Sequence, residues 1–254
     1  MSKVNLIWRT FSTATCFALF GIGGVVLTLT VLPIQRLMYR NAEERQLAAR
    51  KLVHKSFQLF LKFMSISGTS SFSLEDSGKL NQLNGNLVIA NHPCLIDVVV
   101  LISLIPNADC VIKAELFSNP FIRGVVRSTG YISNSDPQKI IEDCKATLER
   151  GNNLIIFPEG TRTEPNMPVK FLRTPANIAL RSGAQIFMNE ISVVPSTLTK
   201  QERWYNIPAQ KFLFRLCALG EFKYTIRPNE SLHRQSKRLT QNLEDYYNKH
   251  LGKN

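Results

Sequence analysis

The chain reads as an α/β protein with a mostly parallel central sheet flanked by helices, preceded by an N-terminal membrane-associated helical segment. Three observations predict this. Short apolar runs of strand length alternate with helical stretches from residue 87 onward, as in folds built on a parallel sheet. Turn and cap signals punctuate them: Asn84-Gly85, Asp136-Pro137, Gly151, Thr174-Pro175 and Gly183. Ahead of all this, no charged residue occurs from Thr10 to Gln35.

That uncharged run, closed by Pro33, would reach about 39 Å as a helix, against roughly 30 Å for a bilayer's hydrocarbon core. It is too long for a cleaved signal peptide, and no small-residue cleavage site follows it. A membrane helix or a re-entrant segment fits best, with Gly21, Gly23 and Gly24 permitting close packing or a bend. Residues 42–65 form a second predicted helix. Leu52, Val53, Phe57, Phe60, Leu61 and Met64 share one face, suited to the membrane interface or to the domain's own core. The chain thus divides at 66: residues 1–66 carry the membrane helix and the amphipathic helix, and residues 67–254 carry the α/β domain.

Within that domain, Leu87–Ala90 is a buried strand, and a helix starts at Pro93 and carries Val98 to Leu104. Asp109 to Glu115 is the next strand, and a helix runs between Asp136-Pro137 and Gly151. Leu154–Phe157 is a strand leading into Pro158. Thr174-Pro175 opens a helix that stops at Gly183. Ile191–Val194 is a strand ending at Pro195. Residues 211–227 alternate like sheet edges, and Ser231 to His250 form a terminal helix.

Charge narrows the function. Lys plus Arg number 31 against 19 Asp plus Glu, a net +12. Such a surface attracts an anionic membrane or nucleic acid. No base-stacking motif or recognition helix stands out, so no nucleic-acid partner is expected. Arg36, Arg40, Arg45, Arg50, Lys51 and Lys55 follow the apolar run and only Lys3 and Arg9 precede it. The domain is therefore expected on the cytoplasmic side, at the inner membrane if the source is bacterial. Five scattered cysteines without a C-x-x-C pair imply a reducing compartment and no metal site.

Two polar clusters sit at predicted strand ends, where sites form in parallel sheets. The first is NHPCLID, residues 91–97. On one regular helix His92 and Asp97 would face apart, but they meet if His92 stands at the helix entrance. Asp97 would then hold one imidazole nitrogen and leave the other as a base. Cys94 is read as a packing residue. The second cluster is FPEGTRT, residues 157–163. Glu159 and Arg162 suit a ligand, Arg162 through a bidentate anion contact; an ordinary solvated turn with an internal ion pair is the alternative.

Together the two clusters resemble the H-x4-D and F-P-E-G-T-R blocks of the lysophospholipid acyltransferases, also called the glycerolipid or PlsC-type family. The resemblance covers about residues 80–200. It implies a membrane enzyme of phospholipid biosynthesis that moves a fatty acyl group from an acyl thioester to a lysophospholipid hydroxyl, with 1-acyl-sn-glycerol-3-phosphate the expected acceptor. His92 and Asp97 would be catalytic. Glu159, Gly160, Thr161 and Arg162 match the acceptor block, Val194-Pro195 a block near the donor, and Lys113, Phe117, Pro120 and Gly130 the second block. No cofactor is implied: acyl-CoA or acyl-carrier protein is a co-substrate, and membrane lipids are the other partners. The second block departs from the family's pattern, since Ser133-Asn134-Ser135-Asp136 stands where an Arg usually follows Gly-x-Ile. Arg127 or Lys139 is left to substitute, or the acceptor is another hydroxylated lipid. A catalytically silent lipid-binding protein is a further alternative, against which the intact His92-Asp97 pair counts.

Overall fold

The computed structural model describes residues 3–163 and 167–252. A long N-terminal helix, α1 (Lys3–Val26), passes through one π-helical stretch (Leu27–Val31) into α2 (Leu32–Met38). The π stretch has a local cause. Pro33 lacks an N–H and its ring crowds the carbonyl four residues back, so the backbone widens and Leu32 N–H bonds to Leu27 O. After a break capped by the Asn41 side chain, α3 (Ala42–Ile66) follows.

Seven strands form one sheet: β1 (Ser70–Glu75), β2 (Leu87–Ala90), β3 (Ala108–Ile112), β4 (Ile132–Ser133), β5 (Asn153–Ile156), β6 (Ile186–Val194) and β7 (Phe212–Phe222). Their order is β1-β7-β6-β2-β5-β3-β4. Every pairing is parallel except β6 with β7. Among the described residues, five α-helices complete the domain: α4 (Asp97–Leu104), α5 (Arg123–Thr129), α6 (Pro137–Glu149), α7 (Thr174–Ser182) and α8 (Leu232–His250).

The central strands β2 and β5 are buried along their whole length. This is why they read as continuous apolar runs and not as alternating patterns. Val88 and Ala90 face a core shared with α1, α3 and α4, while Leu87 and Ile89 face a second core under α6, α7 and α8. Tyr247 of α8 is fully buried there, its hydroxyl 2.9 Å from Ile89 O and 2.5 Å from Asn189 O. On the opposite layer, Arg50 of α3 is buried and makes a 2.8 Å ion pair with Asp109 of β3, and its Nε donates to Thr129 O.

The sequence expectations are met in class and in most elements, with several differences: α5 was not legible from the sequence, and β6 begins at Ile186, not Ile191. The helix after β2 begins at Asp97, not Pro93. The strand expected to run to Glu115 ends at Ile112, where a 3-10 turn (Ala114–Phe117) takes over. Residues 211–227 hold one long strand, β7. The edge strands β1 and β4 were not legible, because SSFSLE is polar and β4 has only two residues.

Candidate active site

Strand order brings the predicted clusters together. β2 lies between β5 and β6 and runs parallel to both, so the residues following all three strands emerge at one edge. His92 follows β2, Pro158 to Thr163 follow β5, and Pro195 follows β6. Asn91 bonds β2 to β6 there: its Nδ2 donates to Ile191 O at 2.7 Å, and its Oδ1 accepts from Ile191 N–H at 2.7 Å. The backbone just before His92 is thereby fixed from one side.

His92 and Asp97 meet as the spacing requires. Residues 91–96 are not helical, and Asp97 is the first residue of α4. His92 Nδ1 lies 2.7 Å from Asp97 Oδ2, which also accepts Cys94 N–H at 2.8 Å. The carboxylate thus closes its own turn and orients the imidazole. Asp97 is wholly buried, while the His92 side chain retains 19% exposure. Burial pushes the Asp97 carboxyl above the usual carboxylate range; the bond from His92, the Cys94 N–H and the charge of Arg162 oppose it. Asp97 Oδ1 has no hydrogen-bond partner among the described residues. The His92 ring stacks on Phe157 with centroids 4.1 Å apart, which fixes its plane. Cys94 is fully buried, and burial followed by Asp97 raises its thiol far from ionisation, consistent with packing.

The second cluster holds the first in place. His92 N–H donates to Thr163 Oγ1 at 2.9 Å and to Glu159 Oε1 at 3.2 Å, while Thr163 N–H donates to His92 O at 2.7 Å. Thr163 Oγ1 in turn donates to Glu159 Oε1 at 2.5 Å. Glu159 therefore positions the His92 backbone. Gly160 sits at φ +67°, a conformation that favours glycine, in the turn that returns the chain to His92. Arg162 Nη1 donates to Leu198 O at 2.8 Å and Thr199 O at 2.6 Å, tying the turn to the loop after β6. Its other nitrogens make no hydrogen bond among the described residues.

The remaining expected residues are more spread out. Gly160 and Thr161 are exposed, and Pro195 is half-buried behind a cis peptide bond. Lys113 is exposed after β3, on the same edge of the sheet. Arg127, on α5, is exposed and donates to Phe117 O at 3.2 Å. Phe157, Thr163 and Asn91 were not picked out from the sequence as site residues, although all lie in or beside the two motifs. A large apolar cavity of about 770 Å³ was not legible either. It lies between α1, α3 and α4, and it borders the site at Leu95 and Leu198, which are joined by a Leu95 N–H to Leu198 O bond of 3.2 Å.

Comparison with known proteins follows the same lines. The 1-acyl-sn-glycerol-3-phosphate acyltransferase of Helicobacter pylori is 27% identical over 199 residues, spanning 74% of this chain and 77% of that protein. The enzyme of the same name from Cocos nucifera is 31% identical over 120 residues, spanning 44% of this chain and 37% of that one. The crystal structure of the 1-acyl-sn-glycerophosphate (LPA) acyltransferase PlsC from Thermotoga maritima shares the fold. Its TM-score is 0.65 at 18% identity, with 97% of this chain and 98% of that one covered. The family model described as Acyltransferase matches residues 72–199, half of the chain, from β1 through both motifs to the loop that Arg162 holds. The chain belongs to the Acyltransferase family.

Proposed function

We propose that the protein transfers a fatty acyl group from a thioester, on coenzyme A or acyl-carrier protein, to the hydroxyl of 1-acyl-sn-glycerol-3-phosphate. The observation that carries this reading is the Asp97–His92 pair at 2.7 Å beside an apolar cavity. With Nδ1 engaged by Asp97, Nε2 is the nitrogen left to take the acceptor's proton as its oxygen attacks the thioester carbonyl. The imidazolium formed beside the Asp97 carboxylate then returns the proton to the departing thiolate, so His92 ends the cycle as it began. No side chain need be acylated, since Cys94 is buried with its thiol far from ionisation. The cavity suits a fatty acyl chain, and the relatives' names support the acceptor.

The same reading places the protein on a membrane. One helical stretch, Asn5–Met38, is long and apolar enough to cross a bilayer. Yet it is attached to the domain along its length. Trp8 Nε1 donates to Ser67 O at 3.1 Å, Phe17 meets Trp204 at 5.7 Å, and a Cβ on Gly24 would come within 2.5 Å of Phe121 O. Leu6, Ile7, Phe11, Ile22 and Leu29 are exposed. A helix bound along one side to a basic α/β domain and apolar on the other fits in the interfacial layer better than across the bilayer. Residues 1–66 then serve membrane association and residues 67–254 catalysis, on the cytoplasmic side if the basic flank sets orientation.

A different lysolipid acceptor is the second reading, favoured by one observation. The segment lacking the usual Arg is a turn engaged with itself and its neighbours: Ser135 N–H donates to Ser133 Oγ, and Asn134 Oδ1 accepts Ala114 N–H. An assay in detergent with acyl-CoA and acyl-carrier-protein donors against a set of lysolipids tests both. His92→Ala is expected to lower turnover about 10²–10⁴-fold while the protein stays folded, and Asp97→Asn to impair it severely. Full turnover in a folded His92→Ala protein would sink the mechanism.

A further inference from the structure

One end of the apolar cavity carries a cation. Arg9, Thr13 and Cys16 lie on one face of α1, and all three line it. Arg9 is only 5% exposed, and its Nη2 donates to Gln210 O at 2.5 Å. Its Nε is buried with no hydrogen-bond partner among the described residues. Thr13 differs from other threonines of this segment. Thr10, Thr15, Thr28 and Thr30 each return their hydroxyl to the carbonyl four residues back, whereas Thr13 makes no hydrogen bond among the described residues. Thr69, across the cavity, adds a second hydroxyl, held by Ser67 at 2.9 Å.

A guanidinium with spare donors is costly to keep in an apolar wall unless an anion meets it. Farther along the same face of α1 the lining turns apolar, with Phe17, Phe20 and Gly24. From Arg9 to Phe20 the helix rises about 16 Å, close to one leaflet's share of the roughly 30 Å hydrocarbon core. The wall therefore grades from cation and hydroxyls to hydrocarbon over about the length of one acyl chain. That is the profile of an anionic lipid with one chain in the cavity, head at Arg9 and tail toward Phe20. Phosphate suits this head position better than carboxylate, because its tetrahedrally arranged oxygens can accept from Arg9 and from the hydroxyls of Thr13 and Thr69 in different directions.

We propose that Arg9 binds the phosphate of a lipid whose chain occupies the cavity. Two sources share that chemistry: the lysophospholipid acceptor of the proposed reaction, on which reading the first rests, and a phospholipid of the surrounding bilayer. The test compares the full-length protein with Arg9→Gln and Arg9→Lys. The first arm titrates each protein in detergent, without acyl donor, with lysophosphatidate and with the uncharged monoacylglycerol of the same chain. The second measures co-sedimentation with phosphatidylcholine vesicles, with and without about one-fifth phosphatidylglycerol.

Arg9→Gln is expected to weaken lysophosphatidate binding about 10- to 100-fold while monoacylglycerol binding holds, with Arg9→Lys intermediate. If the acceptor is the source, its apparent KM rises by the same factor, the donor's KM holds and vesicle binding is unchanged. If a bilayer phospholipid is the source, the loss appears in binding to the anionic vesicles and the acceptor's KM in detergent holds. Equal loss for the charged and uncharged lipids, or no loss for either lipid or vesicle, would reduce Arg9 to a tether of α1 to Gln210 and overturn the proposal. Should Arg9→Gln fail to fold, Arg9→Lys alone decides, since it keeps the charge and loses only the planar fork. Binding is read without turnover, so a protein inactive as an acyltransferase but selective for the phosphate lipid would sink the reaction and leave this site standing.

Discussion

At the scale of single residues, Arg162 has one observed task, and the proposed function gives its guanidinium a second. Nη1 is committed to the carbonyls of Leu198 and Thr199, and the other nitrogens, without a hydrogen bond among the described residues, are proposed to meet the acceptor's anion. A lysine could satisfy one task at a time. Arg162→Lys is therefore expected to raise the acceptor's apparent KM about ten- to hundred-fold, with the donor's less affected. Steady-state kinetics with each substrate varied in turn checks this. An effect confined to the donor, or none, would leave Arg162 a loop tether. The pair at the centre was legible from its motif, because a five-residue spacing that fails on a regular helix succeeds at a strand-to-helix junction. Glu159 was legible as a site residue but not in its present contacts: only the fold reveals that its carboxylate meets the His92 N–H.

At the scale of elements, one buried charge pair joins the apolar contacts of Val53, Leu61 and Met64 in attaching α3. Arg50 is 3% exposed and Asp109 1%, and Thr147 also donates to Asp109 at 2.8 Å. Burial pushes the Asp109 carboxyl up, and Arg50 opposes that shift. Arg50→Ala leaves a buried carboxylate without its cation, an expected loss of about 3–5 kcal/mol. The sign with pH follows. With its pKa raised further, the folded state holds a proton the unfolded state releases, so stability falls as pH rises and part of the loss is recovered in acid. Denaturant melts of wild type and variant across pH in one detergent measure it; a pH-independent loss would point to packing alone. The amphipathic pattern of residues 42–65 was visible in the sequence, but the burial of Arg50 was not. Read linearly, it was one more basic residue on the membrane flank.

At the scale of the whole molecule, the cavity is built by both halves of the chain, α1 and α3 on one side and α4 with the β6–β7 loop on the other. Full-length protein is expected to sediment with membranes and to resist a high-salt wash. A chain beginning at Tyr39 lacks the apolar helix and should be held only by its basic surface, so salt should release it. A chain beginning near Ser67 also lacks Arg50, Val53 and Met64, uncovers the core these residues pack against, and is expected to aggregate. Fractionation of the three with salt and detergent washes decides; full-length protein in the salt-washed soluble fraction would remove the membrane reading. Packing thus runs across the division expected at residue 66.

What the sequence alone determined is local and periodic. The α/β class, the buried central strands, most helix limits and the two motifs follow from apolar period, caps and turn residues, each settled within a few positions of chain. The tertiary structure alone decided what depends on distant segments meeting. The Thr163–His92 exchange, the Arg50–Asp109 pair, the edge strand β1 beside β7 and the Arg9 end of the cavity join residues far apart in the chain. A charge reads the same in a sequence whether it faces water or is buried against a carboxylate, and only the packed fold distinguishes the two by desolvation.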